Sequence, residues 1–319
     1  MTTLTGIRRR SIRRARQRDG LAFYGFISPW LLGTAILTVF PLGYALYVSF
    51  TAWDGISPYK PWVGLANYAE VLTSPDTWSA LSKTLLVVVI VVPATIIGSL
   101  VLAIWLNEKV RGRVVFRTII FLPAIVPAVA AALIWKVIFD KDSGSVNRIL
   151  ATFGIHPVSW VTGDNAFITL LVVMLWGIGA GIIIYLAALQ TVDVEQLEAA
   201  KVDGAGPLTT FRHVTLPAIS PILLFQTVLT LITTLQVFIP ALLLAPVGVT
   251  QTVSSVPVAN RLYMVDVWSQ FFQYSRYGYG SAMIIVFVIV ILILTAVVFR
   301  VGGRSVYYAV DPDQREDRR

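Results

Sequence analysis

LSKTLLVVVIVVPATIIGSLVLAIWL, Leu81 to Leu106, decides the class of this protein. Apart from Lys83 near its start it has no ionisable side chain, and a helix of roughly 20 apolar residues suffices to cross ~30 Å of hydrocarbon. Five further runs meet the same test: Phe23 to Phe50, Thr118 to Phe139, Phe167 to Leu189, Ile219 to Ala245 and Ser281 to Phe299. Six transmembrane helices are therefore expected. Pro29, Pro41, Pro93, Pro123, Pro127 and Pro240 fall in or near them, and kinks rather than breaks are expected there, because neighbouring helices can satisfy the freed carbonyls.

The composition agrees with an all-α polytopic membrane protein. Hydrophobic residues make up 56% of the 319, charged residues 13%, and the mean hydropathy is +0.77. Aromatic residues, at 12%, suit rings placed at the two headgroup levels. Cysteine is absent, which excludes disulfides, thiolate metal sites and cysteine nucleophiles. The net charge of +8 comes from arginines beside apolar runs, a pattern that fits an anionic membrane surface and not nucleic acid.

Residues 1–20 read as a basic cytoplasmic tail, 21–300 as one transmembrane domain, and 301–319 as a solvated cytoplasmic tail. The first apolar run is too long for a signal peptide and is expected to stay in the mature protein. With the N-terminus inside, eighteen of the 25 Lys and Arg residues lie in or beside cytoplasmic segments 1–20, 107–117, 190–217 and 300–319. Both termini are then cytoplasmic.

The third of those segments reads QTVDVEQLEAAKVDGAGP, Gln190 to Pro207. Its local grammar is a short helix with defined ends. Asp193 is a good N-cap and Gln196 can close a capping box. Glu195 and Glu198 suit the positive end of the dipole, Gly204 can stop the helix in the left-handed conformation, and Pro207 can open the next one. A helix this short is marginal alone, so docking on a cytoplasmic partner is expected.

Glu198-Ala199-Ala200, Asp203-Gly204-Ala205, Phe211, Leu216-Pro217 and Pro221 together resemble the EAA signature of permease subunits in binding-protein-dependent ABC importers. The resemblance implies the type I (MetI-like) permease fold in a bacterial plasma (inner) membrane. It also implies a coupling helix that enters a cleft on a separate cytoplasmic ABC ATPase, with Glu198, Ala199, Ala200, Asp203 and Gly204 as its coupling residues. A second homologous permease subunit and an extracytoplasmic solute-binding protein are the other implied partners. Asp193 stands where the family usually has proline. More narrowly, Pro41 to Phe50 with Trp62-Val-Gly-Leu-Ala-Asn-Tyr68, Asn147 to Trp160, and Tyr277-Gly-Tyr-Gly-Ser-Ala282 are similar to the carbohydrate-uptake class, that of the maltose transporter's membrane subunits. A sugar or related polar solute is the implied cargo. The glycine-rich turn common after the fifth helix of that class is not evident around Pro246 to Thr250.

A path for a solute can also be sought in the residues themselves. Gln226, Thr227, Thr230, Thr233 and Thr234 form a polar stripe in an apolar span, which should face the bundle or a water-filled path. Trp176-Gly-Ile-Gly-Ala-Gly181 sets a large ring beside small residues, so Trp176 could stack on a sugar face beside Gly177. The alternative for each is helix packing, since Gly177 and Gly181 make a small-xxx-small pair and threonines bond within helices. His156 and His213 lack partners at metal spacing, and no P-loop or nucleophile elbow occurs, so no metal, cofactor or catalytic site is expected. Two rival readings remain. A self-contained secondary transporter or channel would be expected to hold an ionisable residue in mid-membrane, and an enzyme would need a general base, nucleophile or metal.

Overall fold

The computed structural model describes residues 23–108, 112–246 and 255–303. The basic arm 1–20, the tail beyond residue 303 and residues 247–250 of the stretch without an evident glycine-rich turn lie outside them. Among the described residues the regular elements are helices alone, besides one antiparallel bridge between Thr51 and Trp62.

Helix α1, Phe23–Ser49, carries a π turn at Ala35–Val39 just before Pro41. The wider turn gives room where the proline ring would meet a carbonyl one turn back. Only 6% of the apolar window of α1 is buried against the rest of the chain. Its end is fixed by the loop that follows. Asn67, on α2 (Ala66–Thr73), donates to the Ser49 and Thr51 carbonyls at 2.9 Å each, and the Tyr68 hydroxyl lies 2.6 Å from that of Ser49. Gly278 closes the same corner, for its N–H donates to Trp53 O at 3.0 Å and any Cβ there would strike the Thr51 carbonyl.

Helix α3, Pro75–Asn107, contains the whole stretch from Leu81 to Leu106. It starts at the Ser74 cap and passes Pro93 without a break. Of the next three spans the first breaks sharply, contrary to the kink expected at Pro127, while the other two change helix type or pause without a sharp bend. The run from Thr118 to Phe139 is two helices, α4 (Arg113–Ile125) and α5 (Ala128–Ile138), bent by 99°. Val126 is extended (ψ 126°) because the ring of Pro127 disfavours helical backbone in the residue before it.

After the short loop helix α6, Ser145–Thr152, the run from Phe167 to Leu189 becomes α7 (Asn165–Trp176), a 3-10 turn (Ile178–Gly181) and α8 (Ile182–Gln190). Its glycines permit the tighter turn. Past α9, Val194–Val202, the chain runs through α10 (Pro207–Thr210) and a second π turn (Phe211–Thr215) into α11 (Leu216–Leu235). The run from Ile219 to Ala245 then stops at Gln236, and a short α12, Ile239–Leu243, starts with Pro240 in its first turn. Lys136 on α5 braces that end by donating to Leu243 O at 3.0 Å and to the Ala245 carbonyl.

Helix α13, Tyr263–Phe272, dips between α3 and α14 (Tyr277–Gly302). The Tyr263 hydroxyl donates to Met283 O at 2.9 Å, its N–H donates to Thr84 Oγ1 at 2.8 Å, and its ring stacks on Phe287 at 4.4 Å. Among the described residues five helices are long and apolar enough to cross a membrane, and six are reached if the bent pair α4 and α5 counts as one span.

Candidate functional site

The sharp bend and the two milder interruptions meet at one place. Val126 and Ala128, then Gly177, Ala180 and Gly181, then Val237 and Pro240 all line a single cavity of about 510 Å³, whose remaining wall comes from α3, α4, α5, α7, α8 and α11. Discontinuous helices of this kind turn backbone carbonyls and N–H groups toward a cavity at membrane depth, where irregular backbone is tolerated only if it is covered by protein or water.

Trp176, Gly177, Gln226, Thr230, Thr233 and Thr234 all lie in that wall. Thr227 does not: a step of one residue turns it about 100° around the helix, into a separate groove with Leu216, Leu224 and Val297. The stripe is thus narrower than its composition suggests. Gln226, only 8% exposed, makes no hydrogen bond to protein among the described residues, so its amide is open to a ligand. Thr233 donates to Leu229 O at 2.9 Å and keeps lone pairs free to accept. The Trp176 ring is held edge-to-face by Trp135 at 5.8 Å, and Trp135 stacks on Phe139 at 5.2 Å.

Three polar residues of the wall escaped the sequence reading. Thr95 and Ser99 stand one helical turn apart on α3, and Ser99 donates to Ile178 O at 2.6 Å, which ties the 3-10 turn to α3. Tyr185, almost fully buried, has a shielded hydroxyl without a partner. The small residues also divide their work. A Cβ on Gly179 would run into the Ile120 carbonyl, and one on Gly181 would sit 3.1 Å from Ser99 Oγ. One on Gly177 would have only Met174 O, at 4.0 Å. Packing therefore rests on Gly179 and Gly181, while Gly177 leaves space open.

Among the described residues no Asp, Glu, Lys, Arg or His lines the cavity. Its chemistry is that of neutral hydroxyls and one amide around an indole. Such a surface can hydrogen-bond a polar, uncharged solute and stack against its apolar face, while an ion would enter it without compensation.

Helix α8 runs from Gly181, Ile184 and Tyr185 in the cavity wall directly to the turn before α9. Asp193 caps α9 by accepting from the Glu195 N–H at 2.9 Å, one residue earlier than a capping box requires, and Gln196 does not reach back. The far end is a Schellman turn. The Ala205 N–H donates to Ala200 O at 2.9 Å, the Gly204 N–H donates to Lys201 O at 3.1 Å, and Gly204 has φ +77°. Pro207 opens α10 as expected. Glu198, Ala199, Asp203 and Gly204 are exposed, together with Val202 at 88%, whereas Ala200 is half-buried and Leu197 packs on the core beside Phe211 and Val214. Apolar and acidic groups thus share one uncovered face on a stiff, capped helix.

Residues 94–306 match the family model described as binding-protein-dependent transport system inner membrane component. The chain is 33% identical to a probable ABC transporter permease protein, YesP, of Bacillus subtilis, over 92% of this chain and 94% of that one. It is 29% identical to the trehalose/maltose transport system permease protein MalF of Thermococcus litoralis, over 90% and 95%. It is 34% identical to the lactose transport system permease protein LacF of Rhizobium radiobacter, over 67% and 72%. Among solved structures, a chain of a bacterial ABC transporter that imports the acidic polysaccharide alginate shares the fold, with a TM-score of 0.77 at 22% identity over 92% of this chain and 99% of that one.

Proposed function

We propose, from the premise that the chain belongs to the family of binding-protein-dependent transport system inner membrane components, that it is one wall of an ATP-driven importer for a neutral sugar. It is a multi-pass protein of the bacterial plasma membrane, built as an ABC importer permease. The observation that carries the proposed cargo is the cavity, with its hydroxyls, amide and indole and no charged side chain. Relatives named for trehalose/maltose and lactose transport support the same class. Of the polar solutes open to such a permease, the uncharged ones fit better than a glycerol phosphate, because among the described residues no cation faces the cavity to offset a phosphate.

Coupling would run through α9. Its exposed face of Glu198, Ala199, Val202 and Asp203 would enter a cleft on a separate ATPase, and α8 would carry the displacement to the cavity wall. ATP binding would draw this chain and a second homologous permease together at the cytoplasmic side, opening the cavity toward a loaded extracytoplasmic binding protein. Gln226, Thr230, Thr233 and Thr234 would exchange water for sugar hydroxyls, and Trp176 would cover the apolar face of the ring. The N-terminus and the face bearing α9 are cytoplasmic in this reading, in keeping with the excess of Lys and Arg on that side.

Co-expression with the ATPase subunits tests both parts. Uptake of a neutral sugar should require ATP, Glu198→Lys with Gly204→Trp should abolish stimulated ATPase activity and uptake while leaving the chain in the membrane, and Gln226→Leu should weaken uptake alone. Uptake by the chain without an ATPase, driven by an ion gradient, would sink the reading in favour of a secondary transporter.

A further inference from the structure

On the side of α4 and α8 that ends toward α9 lies a second recess of about 440 Å³, separate from the cavity, running along the two helices. Its end nearest α9 is polar, with Arg117 and Gln190, and its other end is apolar, with Phe121, Ile125, Ile183 and Leu186. From Arg117 to Ile125 the trough is about 12 Å long at ~1.5 Å per residue, the reach of the upper part of an acyl chain. Ile125 and Ile183 in its walls are 64% and 52% exposed.

Two observations bear on the level and the charge of the polar end. Trp105 and Phe116, both exposed, meet edge-to-face at 5.5 Å beside it, a pairing suited to the membrane–water boundary. Arg117 caps α3 by donating to Leu106 O at 3.2 Å, yet no carboxylate pairs with it among the described residues, and its Nε is shielded without a partner. Arg113 stands one turn away on the same helix. The recess therefore presents a cation beside an aromatic pair and an apolar trough running away from it. An amphiphile with an anionic head matches both ends at once, whereas a protein helix seated there would have to bring its own carboxylate to Arg117.

We propose that this groove holds one anionic phospholipid, its phosphate on Arg117 and an acyl chain between α4 and α8. The lipid would wedge against the helix that leads into α9, so its occupancy would bear on how firmly the docking segment is seated. The proposal depends on the depth of the groove and not on which side of the membrane it faces, and a symmetric bilayer tests it independently of the orientation read from the loop charges.

The full-length chain in nanodiscs of phosphatidylcholine with phosphatidylglycerol of the same acyl chains is the material to use, with retained lipid counted by native mass spectrometry. Phosphatidylglycerol should be retained selectively, Arg117→Gln should lower that retention about fivefold, and Arg117→Lys should keep most of it. Leu186→Trp, which fills the trough and leaves the cation in place, should displace the lipid and decides the matter if Arg117→Gln fails to fold. A photo-crosslinking residue in place of Ile183 should label lipid in native membranes. Equal retention of the two lipids, indifference to Arg117→Gln and Leu186→Trp, or labelling of polypeptide alone would overturn the proposal, the last by showing that a protein partner covers the groove.

Discussion

The turn around α9 and the cavity are built in opposite ways. At α9 every determinant lies within a few residues: Asp193 caps the start, Gly204 closes the end, and the helix between them touches the core mainly through Leu197 and Ala200. At the cavity nothing is local. Ser99 on α3 bonds a carbonyl in a 3-10 turn, Gly179 in that turn lies against the backbone of α4, and Lys136 on α5 holds the end of α12. The contrast teaches where each kind of damage should travel. A fault in the α9 turn should stay there and cut only the link to a partner, while a fault at the cavity should spread through helices far apart in sequence.

The hardest test of this contrast is Gly179→Leu. The added side chain would have to displace the Ile120 carbonyl, so α4 must move off the 3-10 turn. A loss of about 3 kcal/mol or more is expected, read as a lower thermal midpoint and poor recovery of monodisperse protein after extraction. Gly177→Ala, with open space around it, should change stability by less than about 1 kcal/mol. If the two glycines prove equal, the division between packing and cavity lining is wrong. Lys136→Met comes next. It removes a charged donor from two carbonyls at the end of α12 and should cost about 2 kcal/mol, with weakened uptake because Pro240 and Val237 stand in the cavity wall. Gly204→Val should cost about 1–2 kcal/mol from the left-handed backbone alone, since nothing lies within 4 Å of its Cβ position. The thermal midpoint of the membrane part should hold while hydrogen exchange quickens between residues 194 and 206.

How much of this was legible in the sequence follows the same division. The apolar runs and the α9 caps are local patterns, and they place the spans and the docking turn. Thr95 and Ser99 were within reach, because they stand four residues apart among the few polar side chains of the stretch from Leu81 to Leu106. Thr227 could have been set aside by helical period alone, being one step from Gln226. Pro127 marks its own break through Val126, yet that the span opens by 99° there, where Pro93 leaves α3 unbroken, depends on what packs around each proline. The meeting of one bend and two interruptions at one cavity joins residues as far apart as Val126 and Pro240, and no local pattern carries that. Tyr185 is another such case: a lone tyrosine in an apolar run gives no sign that its hydroxyl is enclosed beside the cavity.

The smallest expected effect discriminates most finely. A capping box at α9 would make Asp193 and Gln196 reciprocal partners, so that removing either would loosen the first turn. The observed cap is one-sided, from the Glu195 N–H to Asp193 Oδ1. Asp193→Ala should then cost about 1 kcal/mol of local helix stability, seen as faster exchange at residues 194–197, while Gln196→Ala should change nothing measurable there. Because Asp193 is exposed and the rest of the chain does not lean on it, neither substitution should move the thermal midpoint. Equal loosening by both would restore the capping box. A fall in the midpoint with Asp193→Ala would mean that the α9 turn supports the membrane part after all, and that the two regions are not as independent as their contacts indicate.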